Sequence, residues 1–142
     1  MPAKGHKTLR VVLAEEYSLM KVIIAGIVPF LRTLLRMAIE EEGFVTVAEA
    51  EDPSSLLMLC DREKPDILIL DLELDEPRTL RLIEDILDLD PTIAIVAVSD
   101  PRQGYGETAL AAGARAYLQK PFSTYDLVDT MRKVAPVLRE RR

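Results

Sequence analysis

Residues 65–71 read PDILILD, in which four consecutive apolar residues end on an aspartate. A run of this apolar character is typical of a strand buried on both faces of a parallel sheet, because such a strand has no solvent-facing side. Two further runs share this character, VIIA at residues 22–25 and IAIVAV at residues 93–98. The three runs together predict the centre of a parallel sheet.

Outward from these runs, short β-branched segments alternate with longer segments of helical period. The predicted strands are residues 21–25, 45–49, 67–70, 93–98 and 116–118, and the predicted helices are residues 30–42, 54–62, 80–87, 107–112 and 124–138. This alternation predicts an α/β fold of the doubly wound, flavodoxin-like kind. We expect a three-layer sandwich in which five helices flank a five-stranded parallel sheet of order 2-1-3-4-5.

The chain has 142 residues and a formal net charge of -6. Its length suits one domain, which we place at residues 20–138 between an N-terminal extension, residues 1–19, and a basic tail, residues 139–142. The acidic balance disfavours direct binding to nucleic acid or to an anionic membrane. We predict no transmembrane segment and no signal peptide. Since the lone Cys60 also suits a reducing compartment, we expect a cytoplasmic protein.

Three polar residues follow three of the predicted strands. Asp71 comes after the third strand, Ser99 after the fourth and Lys120 after the fifth. Ligands of a doubly wound sheet bind beyond these carboxyl ends. An exposed Asp71 would serve as a nucleophile toward phosphorus, while Ser99 and Lys120 would donate hydrogen bonds to phosphoryl oxygens. A cis bond before Pro121 would aim Lys120 into the site.

The motifs around these residues resemble a known family. PDILILDLEL, AVSD and AGARAYLQKPF are similar to the third-, fourth- and fifth-strand motifs of response-regulator receiver domains, and the resemblance covers about residues 21–138. It implies a two-component signalling module that accepts a phosphoryl group on Asp71 from a phosphohistidine of a sensor histidine kinase or phosphotransfer protein. Its own chemistry would be limited to self-phosphorylation and autodephosphorylation.

By the same resemblance Ser99 and Lys120 bind the phosphoryl oxygens, and Ser99 with Tyr117 forms the conformational switch. The signal would pass to an output protein whose identity the sequence does not give. The face made by the fourth helix, fifth strand and fifth helix is implied as the surface for a partner or a homodimer.

Members of this family carry two acidic residues after the first strand. A phosphoryl group adds close to two negative charges beside a carboxylate, so Mg²⁺ is the expected cofactor. Two segments of this chain compete for that strand. If residues 9–14 form it, the expected metal ligands are Glu15, Glu16, Asp71 and Glu73, the last through its backbone carbonyl. If residues 21–25 form it, Gly26 and Ile27 stand in the place of the acidic pair.

We favour residues 21–25, because the other register would put Gly26 and Pro29 inside a helix at a cost of about 1 and about 3 kcal/mol. That choice leaves an alternative function open. A pseudo-receiver without the acidic pair would signal by protein contact alone, without phosphorylation. A nucleotide or flavin binder is disfavoured, because the first strand-to-helix turn has no glycine-rich phosphate loop.

Overall fold

The computed structural model describes residues 20–101 and 104–135. Predictions that fall on residues 1–19, including Glu15 and Glu16, and on the basic tail therefore lie outside the described residues. Within them the strands are β1 Lys21–Ala25, β2 Val45–Ala50, β3 Ile67–Asp71, β4 Ala94–Ser99 and β5 Ala116–Gln119. The helices are α1 Pro29–Glu41, α2 Pro53–Glu63, α3 Thr79–Leu89, α4 Tyr105–Ala112 and α5 Thr124–Val134, and a 3₁₀ helix spans Leu72–Asp75.

All strands of the described sheet are parallel and follow the order β2-β1-β3-β4-β5, which confirms the predicted fold. The segment favoured for the first strand is β1, and it lies between β2 and β3. Gly26 and Ile27 therefore follow the central first strand, at the carboxyl edge where the functional residues gather.

The core has two halves, one on each face of the sheet. Every residue of β3 is buried, and its side chains alternate between the two faces as a strand requires. Leu68 and Leu70 pack with residues of α2, α3 and α4, whereas Ile67 and Ile69 pack with residues of α1 and α5. Because both faces are covered, an unbroken apolar run in the sequence marked the central strands.

The ends of the elements are set by local hydrogen bonds. Asp52 caps α2 by accepting a hydrogen bond from Ser55 N at 2.8 Å, and Ser123 caps α5 by accepting one from Asp126 N at 2.9 Å. The predicted strands three and four are each one residue too short at the carboxyl end, since Asp71 and Ser99 still pair with the neighbouring strand. No helix in the described ranges has the length and apolar character to cross a bilayer.

Candidate functional site

The predicted polar residues meet at the carboxyl edge of the sheet. Asp71 is the last residue of β3 and Ser99 the last of the neighbouring β4. Lys120 directly follows β5, and its backbone N–H donates to the Ser99 carbonyl at 2.8 Å. The Lys120 ammonium lies 2.7 Å from Asp71 Oδ2, which makes a charge-assisted hydrogen bond. The peptide bond between Lys120 and Pro121 is cis, as expected.

Asp71 is not exposed, and that expectation was wrong. Only 4% of the residue is accessible, because the 3₁₀ helix and Gly26 close over it. Its Oδ1 accepts a hydrogen bond from Glu73 N at 3.0 Å, and its Oδ2 receives the lysine. A buried carboxylate needs such partners, since an ionised group loses its hydration on burial. Each oxygen of the Asp71 carboxylate therefore has a hydrogen-bond donor.

The turn after β1 does not suit a metal. Gly26 has φ +85°, and a Cβ built there would lie 3.1 Å from the Asp71 Cβ and 3.1 Å from the Leu74 Cβ. Ile27 is 2% exposed and packs into the core beside α1 and α5. A carboxylate would strain the first position and lose its hydration at the second.

The described ranges hold no group of three or more acidic, histidine or cysteine side chains that could ligate a metal ion. Two of the expected ligands, Asp71 and Glu73, do meet at the site. The other two, Glu15 and Glu16, lie outside the described residues. The residues that the structure describes therefore do not form a magnesium site, and the metal stays a prediction that depends on the N-terminal segment.

The side chain of Glu73 reaches Asp100 and approaches Lys120. Its Oε1 accepts a hydrogen bond from Asp100 N at 3.3 Å and lies 3.7 Å from the Lys120 ammonium. Its Oε2 is buried and accepts no hydrogen bond from the residues that the structure describes. Burial, and then the negative charge of Asp71, raise the pKa of Glu73 above its usual value. For the Glu73 side chain the sequence left two interpretations open, a carboxylate at the site that could orient water or repel an anionic donor, and a solvated loop charge. The structure brings the side chain into the site.

Lys120 stands between two carboxylates. Partial burial lowers the pKa of Lys120, but the hydrogen bond and charge of Asp71, with the charges of Glu73 and Asp100, outweigh that effect. Its pKa is therefore raised above the usual value, so the side chain stays an ammonium at neutral pH. It supplies one positive charge against the two negative charges of Asp71 and Glu73.

Ser99 and Tyr117 are joined by a hydrogen bond. The Ser99 hydroxyl is fully buried, lies 2.6 Å from Tyr117 Oη and donates to the Asp100 carbonyl at 2.9 Å. A hydroxyl has one hydrogen, so Tyr117 is the donor in the bond to Ser99. The tyrosine ring lies against Gly106 in α4, where an added Cβ would meet the ring carbon Cδ2 at 2.7 Å. Gly106 thus makes room for the ring, which the sequence did not reveal.

A groove opens beside the site, between α1 and the segment that follows β5. Its volume is about 540 Å³, and its lining includes Leu31 and Leu34 of α1, Phe122, and the site residues Asp100 and Lys120. The lining is mostly apolar, and it leads from the surface of α1 to the lysine that contacts Asp71.

Comparisons with known proteins agree with this geometry. Residues 22–132 match the family model of the response regulator receiver domain. The chemotaxis protein CheY of Listeria monocytogenes is 29% identical over 118 residues, which cover 82% of this chain and 99% of the relative. The transcriptional regulatory protein PdtaR of Mycobacterium tuberculosis is 31% identical over 122 residues, which cover 84% of this chain and 58% of the relative.

Solved structures give the same result. A DNA-binding response regulator of the LuxR family from Staphylococcus aureus has a TM-score of 0.73 and 28% identity, with 81% of this chain and 98% of that chain covered. A two-component response regulator of the LuxR family from Aurantimonas has a TM-score of 0.74 and 26% identity, with 80% of this chain and 83% of that chain covered.

Proposed function

This chain belongs to the family of response regulator receiver domains, and we propose that it takes a phosphoryl group on Asp71 from a phosphohistidine. The donor would be a sensor histidine kinase or a phosphotransfer protein. The observation that carries the proposal is the buried Asp71 carboxylate with the Lys120 ammonium 2.7 Å from it, at the edge where Ser99 ends the neighbouring strand. An acceptor oxygen and a cation are thus held together in one pocket.

In the proposed step an oxygen of Asp71 bonds to phosphorus while the phosphorus–nitrogen bond of the phosphohistidine breaks. The electron pair of that bond goes to the imidazole nitrogen, which takes up a proton. Lys120 offsets the charge of the incoming oxygens, and Ser99 turns its hydroxyl from Asp100 toward them. Its bond to Tyr117 changes in the same movement, so Ser99 and Tyr117 would form the switch.

The groove beside Lys120 would receive the donor protein, because it connects an apolar surface to the lysine that contacts the acceptor. The switch would report to an output protein, or to a second copy of this chain, through the face of α4, β5 and α5. A cytoplasmic location belongs to the same proposal, since the only cysteine, Cys60, would stay reduced there.

Acetyl phosphate with magnesium tests the proposal. Wild-type protein should gain about 80 Da, the mass of one phosphoryl group, and Asp71→Asn should gain none. Asp88→Asn on α3, an exposed aspartate, controls for non-specific modification and should behave as wild type. Magnesium is supplied so that Glu15 and Glu16 can act as ligands if they reach the site. A wild type that stays unmodified would refute phosphoryl acceptance.

The second candidate function is signalling by protein contact without phosphorylation. It is favoured by Gly26 and Ile27, which put a positive-φ glycine turn and a core residue where the family has its acidic pair. The two functions differ in their response to beryllofluoride, a phosphoryl analogue, supplied with magnesium. A phosphoacceptor should rise in melting temperature as the analogue binds, whereas a pseudo-receiver should show no shift.

A further inference from the structure

The hydrogen-bond donors near Asp71 already contact a carboxylate of the protein, the side chain of Glu73. A phosphoryl group on Asp71 would need hydrogen bonds and positive charge, and the pocket offers the Lys120 ammonium and the Asp100 N–H beside the Ser99 hydroxyl. Glu73 Oε1 accepts a hydrogen bond from the Asp100 N–H at 3.3 Å and lies 3.7 Å from the Lys120 ammonium. A side chain of the protein thus uses the groups that an incoming anion would use.

We propose that the Glu73 carboxylate is an internal anion that occupies the phosphoryl site beside Asp71 and supports the bond between Ser99 and Tyr117 without a phosphoryl group. Its chemistry suits the place, because a carboxylate offers two oxygens and one negative charge where a phosphoryl group offers three oxygens and up to about two charges. Oε2 remains buried without a protein hydrogen bond among the described residues, so the pocket holds the whole carboxylate.

A short path leads from Glu73 to the switch. The Asp100 N–H donates to Glu73, and the carbonyl of the same residue accepts the hydroxyl hydrogen of Ser99. With its hydrogen so placed, the Ser99 oxygen accepts from Tyr117 at 2.6 Å. Glu73 fixes one side of Asp100, so it also fixes the acceptor that orients Ser99. Loss of Glu73 should loosen both contacts.

The same contact opposes phosphoryl transfer. Glu73 and Asp71 share one ammonium, so an added phosphoryl group would bring further negative charge into a pocket that is already acidic. Glu73 must leave Asp100 and Lys120 before the oxygens of the phosphoryl group can bind there. This part of the inference rests on the proposed function of Asp71, whereas the contact with Asp100 does not.

The first experiment needs no phosphoryl donor. Amide hydrogen exchange at Asp100 is measured by NMR in wild type, Glu73→Gln and Glu73→Ala, with Glu84→Gln, an exposed glutamate on α3, as the matched control. Loss of a hydrogen bond to a charged acceptor should raise the exchange of Asp100 about tenfold or more in Glu73→Ala, and the Tyr117 ring signals should move. Glu84→Gln should leave both unchanged. An Asp100 amide that exchanges equally in wild type and Glu73→Ala overturns the inference.

The second experiment measures the rate of modification by acetyl phosphate with magnesium in the same variants. Glu73→Ala should react about tenfold faster than wild type, because the competing charge is removed. Glu73→Gln should lie between them, because it removes the charge but keeps an amide oxygen that can still accept from the Asp100 N–H. Equal or slower modification of Glu73→Ala overturns the competition. If no variant is modified, the phosphoacceptor function fails, and the amide experiment still decides whether Glu73 holds Asp100.

Discussion

At the scale of single residues, the Lys120 ammonium lies close to two carboxylates, those of Asp71 and Glu73. Lys120 lies 2.7 Å from Asp71 and 3.7 Å from Glu73, and Asp71 has the better hydrogen bond and the deeper burial. Asp71 is therefore held firmly. The raised pKa of Glu73 indicates that its environment disfavours the charged form overall. The Glu73 carboxylate therefore occupies its place beside Lys120 less firmly than Asp71 does, and an incoming anion can displace it.

Gly106 offers a test of how Tyr117 is held. Inside a helix, Gly→Ala ordinarily stabilises by up to about 1 kcal/mol. Here the new Cβ would meet the Tyr117 ring at 2.7 and 3.0 Å, so we expect Gly106→Ala to destabilise by about 1 to 3 kcal/mol or to move the ring away from Ser99. Urea unfolding measures the effect. In a Tyr117→Ala background the same substitution should become stabilising, and an equal sign in both backgrounds would contradict the contact.

Cys60 makes stability depend on alkaline pH. Burial, and then the charge of Asp90, raise the pKa of this thiol to about 12, whereas an unfolded thiol titrates near about 8.5. Above that lower value the unfolded chain loses a proton that the folded protein keeps. Its stabilising contribution is thus complete below about pH 8.5 and declines as pH rises, by about 1.4 kcal/mol per pH unit.

The measurement compares urea unfolding of wild type and Cys60→Ala from about pH 7.5 to about pH 10. Wild type should lose stability more steeply, so that the gap between the two proteins narrows. Parallel curves would contradict the assignment.

At the scale of secondary-structure elements, the sequence predicted the strands best. Strands β1, β3 and β4 each contain an unbroken run of at least four apolar residues, because both faces of the sheet are covered. Burial on both faces is therefore visible in the sequence itself. The 3₁₀ helix Leu72–Asp75 was missed, since four residues are too few to show a helical period.

The site was predicted in part for the same reason. Asp71, Ser99 and Lys120 were found because each stands at a strand end, where the topology alone brings them together. The contact of Glu73 with Asp100 joins residues 27 apart and depends on side-chain direction, which no local pattern records. The burial of Asp71 likewise depends on Gly26, a neighbour in space only.

Helix α1 carries an exposed apolar stripe that would suit docking of the proposed phosphoryl donor. Phe30, Leu34 and Met37 are 77%, 45% and 58% exposed, and their spacing puts them on one side of the helix, next to the groove at Lys120. We expect Phe30→Asp to slow phosphotransfer by about tenfold or more from a histidine kinase that phosphorylates the wild type, because burying the new charge disfavours docking.

The rate with acetyl phosphate separates docking from chemistry, and Phe30→Asp should leave that rate unchanged. Met58→Asp on α2 is the matched control, since Met58 is 62% exposed on the opposite face of the sheet. It should alter neither rate. A kinase that phosphorylates Phe30→Asp as fast as wild type would exclude this face as the docking surface.

At the scale of the whole molecule, two apolar half-cores support a charged edge. The cores stabilise the fold through burial, whereas the site gathers the Asp71 and Glu73 carboxylates around the Lys120 ammonium at the carboxyl ends of β3, β4 and β5. Such a site is held in place by the rest of the protein, and its charges contribute to stability only while they are paired. The pairing of Lys120 is therefore a property of the fold as well as of the chemistry.

Lys120→Met should lower the free energy of unfolding by about 2 kcal/mol at neutral pH, because it leaves the Asp71 and Glu73 carboxylates near each other without their cation. Asp71→Asn should change stability by less than about 1 kcal/mol, since Lys120 keeps Glu73 as a partner and the repulsion between the carboxylates disappears.

Lys133→Met is the control, because Lys133 is 74% exposed on α5 and paired with Asp129. This substitution should lower the free energy of unfolding by at most about 0.5 kcal/mol. Urea midpoints of the three variants decide the matter: equal losses for Lys120→Met and Lys133→Met would mean that the pair at the carboxyl edge contributes no more than a surface ion pair.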